Sequence, residues 1–232
     1  MSALPGIRRI VRNALRLPSR TWRTLRRRLN PEFDLERQAK AVPGWFAPDY
    51  LAQLDGIPGM CAARVGWLLA SLATQAPPGG VIVEIGAWKG RITAWLVEAS
   101  ERRPDRPPVV SIDPHSGQLG ESWDDFCRTV ADFNLAERGL QIVRASSHVV
   151  AQTWSRPISL LWIDGSHDYE DVALDIADYT SHVVAGGIVA FDDSAGGAFP
   201  GVERAIAEWS ATSGNFQRIA TLRETSIFRK LR

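Results

Sequence analysis

From residue 81 onward, short apolar runs alternate with stretches whose apolar positions recur at helical spacing. The runs are "VIVEI" (81–85), "VVSID" (109–113), "LQIVRA" (140–145), "ISLLWID" (158–164) and "GIVAFDD" (187–193). Runs this short read as strands, and the segments between them as helices. Those helices are predicted at about 90–100, around 122–136, briefly after residue 145, at a segment with Val172, Ile176, Tyr179 and Val183 on one face, and at "GVERAIAEWS". This alternation predicts an α/β fold, a doubly wound, mostly parallel sheet covered on both faces. Two final strands, "FQRIATL" and "TSIFRKL", have no helix between them. They read as a hairpin that places one antiparallel strand at a sheet edge, for seven strands in all. Ahead of the sheet, residues 31–59 form a lead-in punctuated by Pro and Gly. A helix with Val65, Leu68, Leu69 and Leu72 on one face follows, and "APPGG" ends it.

Charge divides the chain further. Residues 1–31 carry nine arginines and no acid, whereas the other 201 residues hold 18 basic and 26 acidic side chains. Three segments follow: a basic amphipathic arm (1–31), a helical lead-in (32–77) and a ligand-binding domain (78–232). Within the arm, Ile7, Ile10, Val11 and Ala14, then Trp22, Leu25 and Leu29, recur at helical spacing on either side of Pro18. Residues 7–29 therefore suit peripheral contact with an anionic membrane. A solvated arm, one packed on the body or on a second subunit of a homo-oligomer, a transit peptide and a nucleic-acid tail are the alternatives. The acidic body disfavours nucleic acid as substrate. No apolar run has the length of a membrane span, and no secretory signal is recognisable. Cys61 and Cys127 fit neither a disulfide framework nor zinc spacing. They read as free thiols of a reducing, cytoplasmic compartment.

Ligands of doubly wound sheets sit at the carboxyl ends of the strands. Here those ends read Glu84-Ile85-Gly86, Asp113-Pro114-His115, Ala145-Ser146-Ser147, Asp164-Gly165-Ser166-His167 and Asp192-Asp193-Ser194. So many carboxylates together require a cation or hydrogen-bond donors. Gly86 and Gly90 flank the first strand-to-helix turn, where glycine lets the backbone approach a ligand. Trp88 stands where a dinucleotide fingerprint has its second glycine, which argues against NAD. Glu84 is placed to bond a ligand's polar end, and Asp113 to accept from ribose hydroxyls.

E-x-G-x-x-x-G after the first strand, the acid after the second and the closing hairpin resemble class I S-adenosylmethionine-dependent methyltransferases. "WIDGSHDYEDVALDI", "AGGIVAFDDS" and "PGVERAI" resemble the subgroup of macrocin-type sugar O-methyltransferases and cephalosporin hydroxylase-like proteins. The resemblance covers about residues 78–230. It implies a Rossmann-like sheet of seven strands with the last inserted antiparallel. It further implies that Glu84, Gly86 and Gly90 contact the methionine and ribose parts of S-adenosylmethionine, that Asp113 holds the ribose hydroxyls, and that Ser146 and Ser147 lie at the adenine end. Trp88 departs from the superfamily's middle glycine.

Methyl transfer to oxygen requires a hydroxyl that is oriented and relieved of its proton. Magnesium supplies orientation and Lewis acidity through hard oxygen ligands. Asp164, Asp192 and Asp193 suit that role, and His167, three residues beyond Asp164, suits the base. The expected activity is O-methylation of a glycan, glycolipid or natural-product hydroxyl, with S-adenosylmethionine and Mg²⁺ as cofactors. The rival readings are a hydroxylase-like member of the subgroup and a non-catalytic scaffold with a membrane-binding arm. Asp168, Glu170 and Asp171 read as helix-start acids, with Asp168 as N-cap. His115 is a second base candidate, otherwise an exposed loop histidine. His148 and His182 read as structural. Trp88 and Trp123 read as core, or as pocket border.

Overall fold

The computed structural model describes residues 31–116 and 120–232. The arm's amphipathic segment, 7–29, lies outside the described residues. Seven strands form one sheet: β1 (Val81–Ile85), β2 (Val109–Ile112), β3 (Leu140–Val143), β4 (Ile158–Ile163), β5 (Val183–Phe191), β6 (Phe216–Leu222) and β7 (Thr225–Lys230). Their spatial order is β3-β2-β1-β4-β5-β7-β6. The chain runs outward from β1 to β3, then returns to the other side of β1 with β4. That reversal opens a crevice at the carboxyl ends of β1 and β4.

The hairpin corrects the expectation of an antiparallel edge. β7 pairs antiparallel with both β5 and β6. The antiparallel strand therefore sits inside the sheet, and β6 occupies the edge in the parallel direction. A two-strand hairpin can dock through either strand, and nothing in its local pattern distinguishes them. Burial does: Thr225, Ser226, Ile227 and Phe228 of β7 are all buried, whereas β6 is mostly half-exposed.

Helices cover both faces. α1 (Pro31–Ala41), α2 (Pro48–Gly56), α3 (Ala63–Gln75), α4 (Arg91–Glu101) and α5 (Trp123–Asp132) are associated with one face; α6 (Ser147–Ala151), α7 (Tyr169–Tyr179) and α8 (Pro200–Thr212) with the other. Strands β1, β2 and β4 are buried throughout, which explains their unbroken apolar runs. Leu54, Leu69 and Leu72 of the lead-in share one core with Ile82, Trp95 and Trp162. The lead-in is thus part of the body's packing. Val172, Ile176 and Tyr179 line the second core as their spacing predicts, whereas Val183, expected on the same helical face, is the first residue of β5.

Two boundaries move. β5 begins at Val183, before the expected 187, because Val183 already pairs with Ile158 across the glycines at 186 and 187. The helix expected to 136 ends at Asp132: Asn134 turns left-handed (φ 53°) and a 3₁₀ turn, Leu135–Arg138, follows. Among the described residues no helix is long and apolar enough to cross a membrane.

Candidate active site

The glycine turn after β1 is built by an acid from the neighbouring strand. Asp113 Oδ2 accepts from the backbone N–H of Ala87 (2.7 Å) and Trp88 (2.8 Å), and Oδ1 from that of His115 (2.6 Å). Three of the roughly four acceptor positions of a carboxylate are thereby used on the chain itself. One remains for a ligand hydroxyl. These bonds hold Trp88 at a left-handed φ of 45°. Gly90 caps α4 at φ 87°, against Phe126 and Thr129.

Gly86 has a reason to be glycine within the chain itself, besides the approach of a ligand. At φ 86°, a Cβ there would lie 2.1 Å from the carbonyl oxygen of Asp164. The close approach that excludes a side chain is made by the end of β4, and Asp164 N–H donates to the carbonyl of Ile85 (2.9 Å). The two crevice loops are interlocked, so the position of Asp164 depends on Gly86.

Glu84 is fully buried. Its Oε2 accepts from Thr93 (2.6 Å) and Ser111 (2.7 Å), while Oε1 has no protein partner. Burial pushes its pKa up to about 7, against the two hydroxyl donors. The folded chain therefore binds this proton more tightly than the unfolded chain, and stability falls as pH rises from about 4.5 towards 7. Glu84→Gln removes that loss. Thermal melts should find the variant close to the parent at pH 5 and more stable than it at pH 8, by about 3 kcal/mol at most. Parallel melting curves at both pH values would contradict this reading of Glu84.

At the other strand ends, five side chains converge. Cys61 Sγ lies 3.1 Å from Asp164 Oδ2 and 3.0 Å from Asp192 Oδ2. His167 Nε2 lies 3.0 Å from Asp193 Oδ2. Two potential metal-ligand groups result, Cys61-Asp164-Asp192 and Asp164-His167-Asp193, each with its ligand atoms within 4.8 Å of one another. Asp164 is common to both. Burial, then repulsion from Asp192, raises its pKa well above the carboxylate range. The same two causes raise Asp193. Burial followed by the charges of Asp164 and Asp192 raises Cys61. Each proton or cation added to this cluster relieves it.

The supports are local. Consecutive residues of a strand point to opposite faces. β5 ends at Phe191 and Asp193 adopts φ 49°, a conformation that aspartate tolerates. The break lets Asp192 and Asp193 both turn toward Asp164. Thr225, at the start of β7, donates to Asp192 Oδ1 (2.9 Å). The His167 ring stacks on Phe199, centroids 4.0 Å apart. α8 approaches so closely that a Cβ on Gly201 would lie 2.9 Å from the carbonyl of His167.

The remaining candidates are placed as follows. Ser146 caps α6, accepting from Val149 N–H (3.4 Å). Ser147 bonds Asp175 through its side chain and Tyr179 through its carbonyl (2.7 Å). Asp168 occupies the N-cap of α7 without a side-chain cap bond; Ser166 Oγ accepts from its N–H instead (3.2 Å). His115 corrects the expectation of an exposed loop histidine. It is buried, bonded to Ser122 (3.0 Å) and packed on Trp123 and Phe126, and desolvation lowers its pKa. Trp123 also borders an open cleft with Glu121, Arg128 and Arg144. His148 pairs with Asp178 (2.9 Å). Cys61 is the residue that sequence reasoning missed. It is a free thiol as expected, yet its partners lie 103 and 131 residues away, beyond any spacing pattern.

Residues 83–194, from mid-β1 to the turn after β5, match the methyltransferase domain family. The match and the seven-stranded sheet with its inserted antiparallel strand bear out the resemblance to class I S-adenosylmethionine-dependent methyltransferases and their Rossmann-like fold. Its fold is similar to that of the O-methyltransferase NovP, at 16% identity and TM-score 0.63, over 86% of this chain and 99% of that one. TomG of Streptomyces achromogenes, an O-methyltransferase of tomaymycin synthesis solved with S-adenosylmethionine, is 18% identical (TM-score 0.58; 85% and 89% covered). CalS11, a TDP-rhamnose 3'-O-methyltransferase of calicheamicin biosynthesis, is 16% identical (TM-score 0.54; 99% and 96% covered). In this fold the interlocked Gly86 turn and the carboxylate-histidine cluster lie together at the carboxyl ends of β1, β4 and β5.

Proposed function

We propose that this methyltransferase acts on oxygen, transferring the methyl of S-adenosylmethionine to a hydroxyl of a glycan, glycolipid or natural product with help from a divalent cation. The observation carrying this reading is the meeting of Asp164, Asp192, Asp193 and His167 beside the Gly86 turn.

The residues fit both groups. Glu84 Oε1, buried and without a protein partner, suits a donor on S-adenosylmethionine, and the open acceptor position on Asp113 suits a ribose hydroxyl. Asp164, Asp192 and Asp193 offer the hard oxygens that Mg²⁺ takes. When bound, S-adenosylmethionine supplies an electrophilic methyl on a good leaving group, and the cation supplies Lewis acidity. The chain's own part is to orient and deprotonate. With Nε2–H donating to Asp193, the tautomer of His167 leaves Nδ1 unprotonated. Nδ1 would take the proton of an acceptor hydroxyl placed beside it. Asp193 steadies the imidazolium, and Phe199 fixes the ring plane.

Calorimetric titration with S-adenosylmethionine, in Mg²⁺ and then in EDTA, followed by label transfer to hydroxylated glycans and glycolipids, tests the proposal. Micromolar cofactor binding and labelled ether product are expected. Asp164→Asn should retain cofactor binding and lose at least ~10²-fold in turnover. Full turnover in Asp164→Asn, or label appearing on nitrogen, would defeat the reading.

A further inference from the structure

We infer that Cys61 is itself a ligand of the divalent cation, making this a mixed thiolate-carboxylate site that prefers a borderline ion such as Co²⁺ or Zn²⁺ to Mg²⁺. This rests on the proposal that the carboxylate cluster holds a cation.

A thiol has one proton. Cys61 Sγ nevertheless faces two carboxylate oxygens, at 3.1 and 3.0 Å, on the ends of two different strands. The proton can serve one of them. The other contact then sets a sulfur lone pair against an oxygen lone pair unless a second proton, on a carboxyl group, or a cation lies among the three atoms; a single cation satisfies both contacts at once. A cation about 2.3 Å from sulfur and about 2.1 Å from oxygen holds the two ligand atoms about 3.1 Å apart when its bonds meet at a right angle and about 3.6 Å apart at the tetrahedral angle. The observed 3.0 and 3.1 Å lie at the narrow end of that range, so binding opens the cluster slightly or uses a right-angled pair of positions.

The thiol is also held there from outside the cluster. Arg91, the first residue of α4, donates through Nε to the carbonyl of Ile57 and through Nη1 to that of Cys61 (2.7 Å). Gly59, between them, passes so close that a Cβ would overlap the Arg91 side chain at 2.6 Å. One guanidinium thus straps residues 57–61 across the crevice. Cys61 is delivered to the carboxylates by the start of the helix that the glycine turn launches. Thiolate is a soft ligand, and softness selects against Mg²⁺. Binding replaces the S–H bond with a sulfur–metal bond and releases the proton to solvent.

The test is Co²⁺ titration of the full chain after chelation, followed by absorption. The wild type should develop both visible cobalt bands and near-ultraviolet thiolate-to-cobalt charge transfer. Cys61→Ser, which keeps Cys127, should keep the visible bands, lose the charge transfer and bind Co²⁺ at least ~10-fold more weakly. Cys61→Asp should shift preference toward Mg²⁺, a gain that misfolding cannot mimic. Cobalt bands without charge transfer in the wild type, or charge transfer surviving in Cys61→Ser, overturn the thiolate ligand and leave the carboxylate site standing. Wild-type protein that binds neither Co²⁺ nor Mg²⁺ overturns the cation reading and this inference together.

Discussion

His167→Ala is expected to lower turnover by about 10²–10⁴-fold, the ordinary contribution of a positioned base, while S-adenosylmethionine affinity stays near the parent's. The two effects separate because His167 and the cofactor-facing residues stand on different loops. His167 bonds Asp193 and stacks on Phe199, whereas Glu84 and Asp113 are held by Thr93, Ser111 and the turn at 87–88. Asp193→Asn gives the complementary result. An asparagine can accept from or donate to Nε2, so either tautomer of His167 is tolerated, and the lost carboxylate charge also weakens the proposed cation site, so turnover and Mg²⁺ affinity should fall together. Single-turnover rates with saturating cofactor, alongside calorimetric affinities, measure both. Equal losses of affinity and rate would assign His167 to binding and remove it as the base.

The largest expected loss of stability is in Gly86→Ala. The cost has two parts. A left-handed alanine costs ~1–2 kcal/mol. The new Cβ would also lie 2.1 Å from the oxygen and 2.5 Å from the carbon of the Asp164 carbonyl, and 2.8 Å from Gly165 Cα. All three are backbone atoms, so no side-chain rotation relieves the overlap, and β1 or β4 must move. A total of more than ~4 kcal/mol is expected, in the range reserved for severe core defects. Gly79→Ala is the control. Its φ is 89°, yet nothing lies within 4 Å of the added atom, so only the backbone strain remains. Denaturant melts of the pair read the difference. If Gly86→Ala melts like Gly79→Ala, the loops are not interlocked. If it melts far lower, the surviving folded fraction should also bind metal poorly, because Asp164 has moved.

The distribution of what was legible follows from distance along the chain. Strand and helix order could be read because apolar periodicity is local, and Val172, Ile176 and Tyr179 share a core as their spacing required. Asp164, Asp192 and Asp193 could be picked out because a buried strand ending in acid is a local conflict. The same reasoning failed wherever the partner was remote. His115 is buried by Trp123 and Phe126 of the following helix. Cys61 meets acids more than a hundred residues downstream. Gly86 answers to the backbone of Asp164 as well as to any ligand. The place of β7 depended on which hairpin strand buries more surface, a property of the assembled sheet.

That place governs the order in which the site can form. Because β7 runs against its neighbours, its first residues lie beside the last residues of β5, and Thr225 reaches Asp192 (2.9 Å). Ser194 likewise bonds the carbonyl of Glu224 and the N–H of Ser226. During synthesis the five strands β1 to β5, with every acid of the cluster, emerge before this hairpin. Until it docks, Asp192 lacks its donor and the turn at 192–194 lacks its anchor. A nascent chain holding residues 1–215 can thus have a sheet, but its Asp192 lacks the Thr225 donor and its turn at 192–194 is unanchored until the last strand arrives.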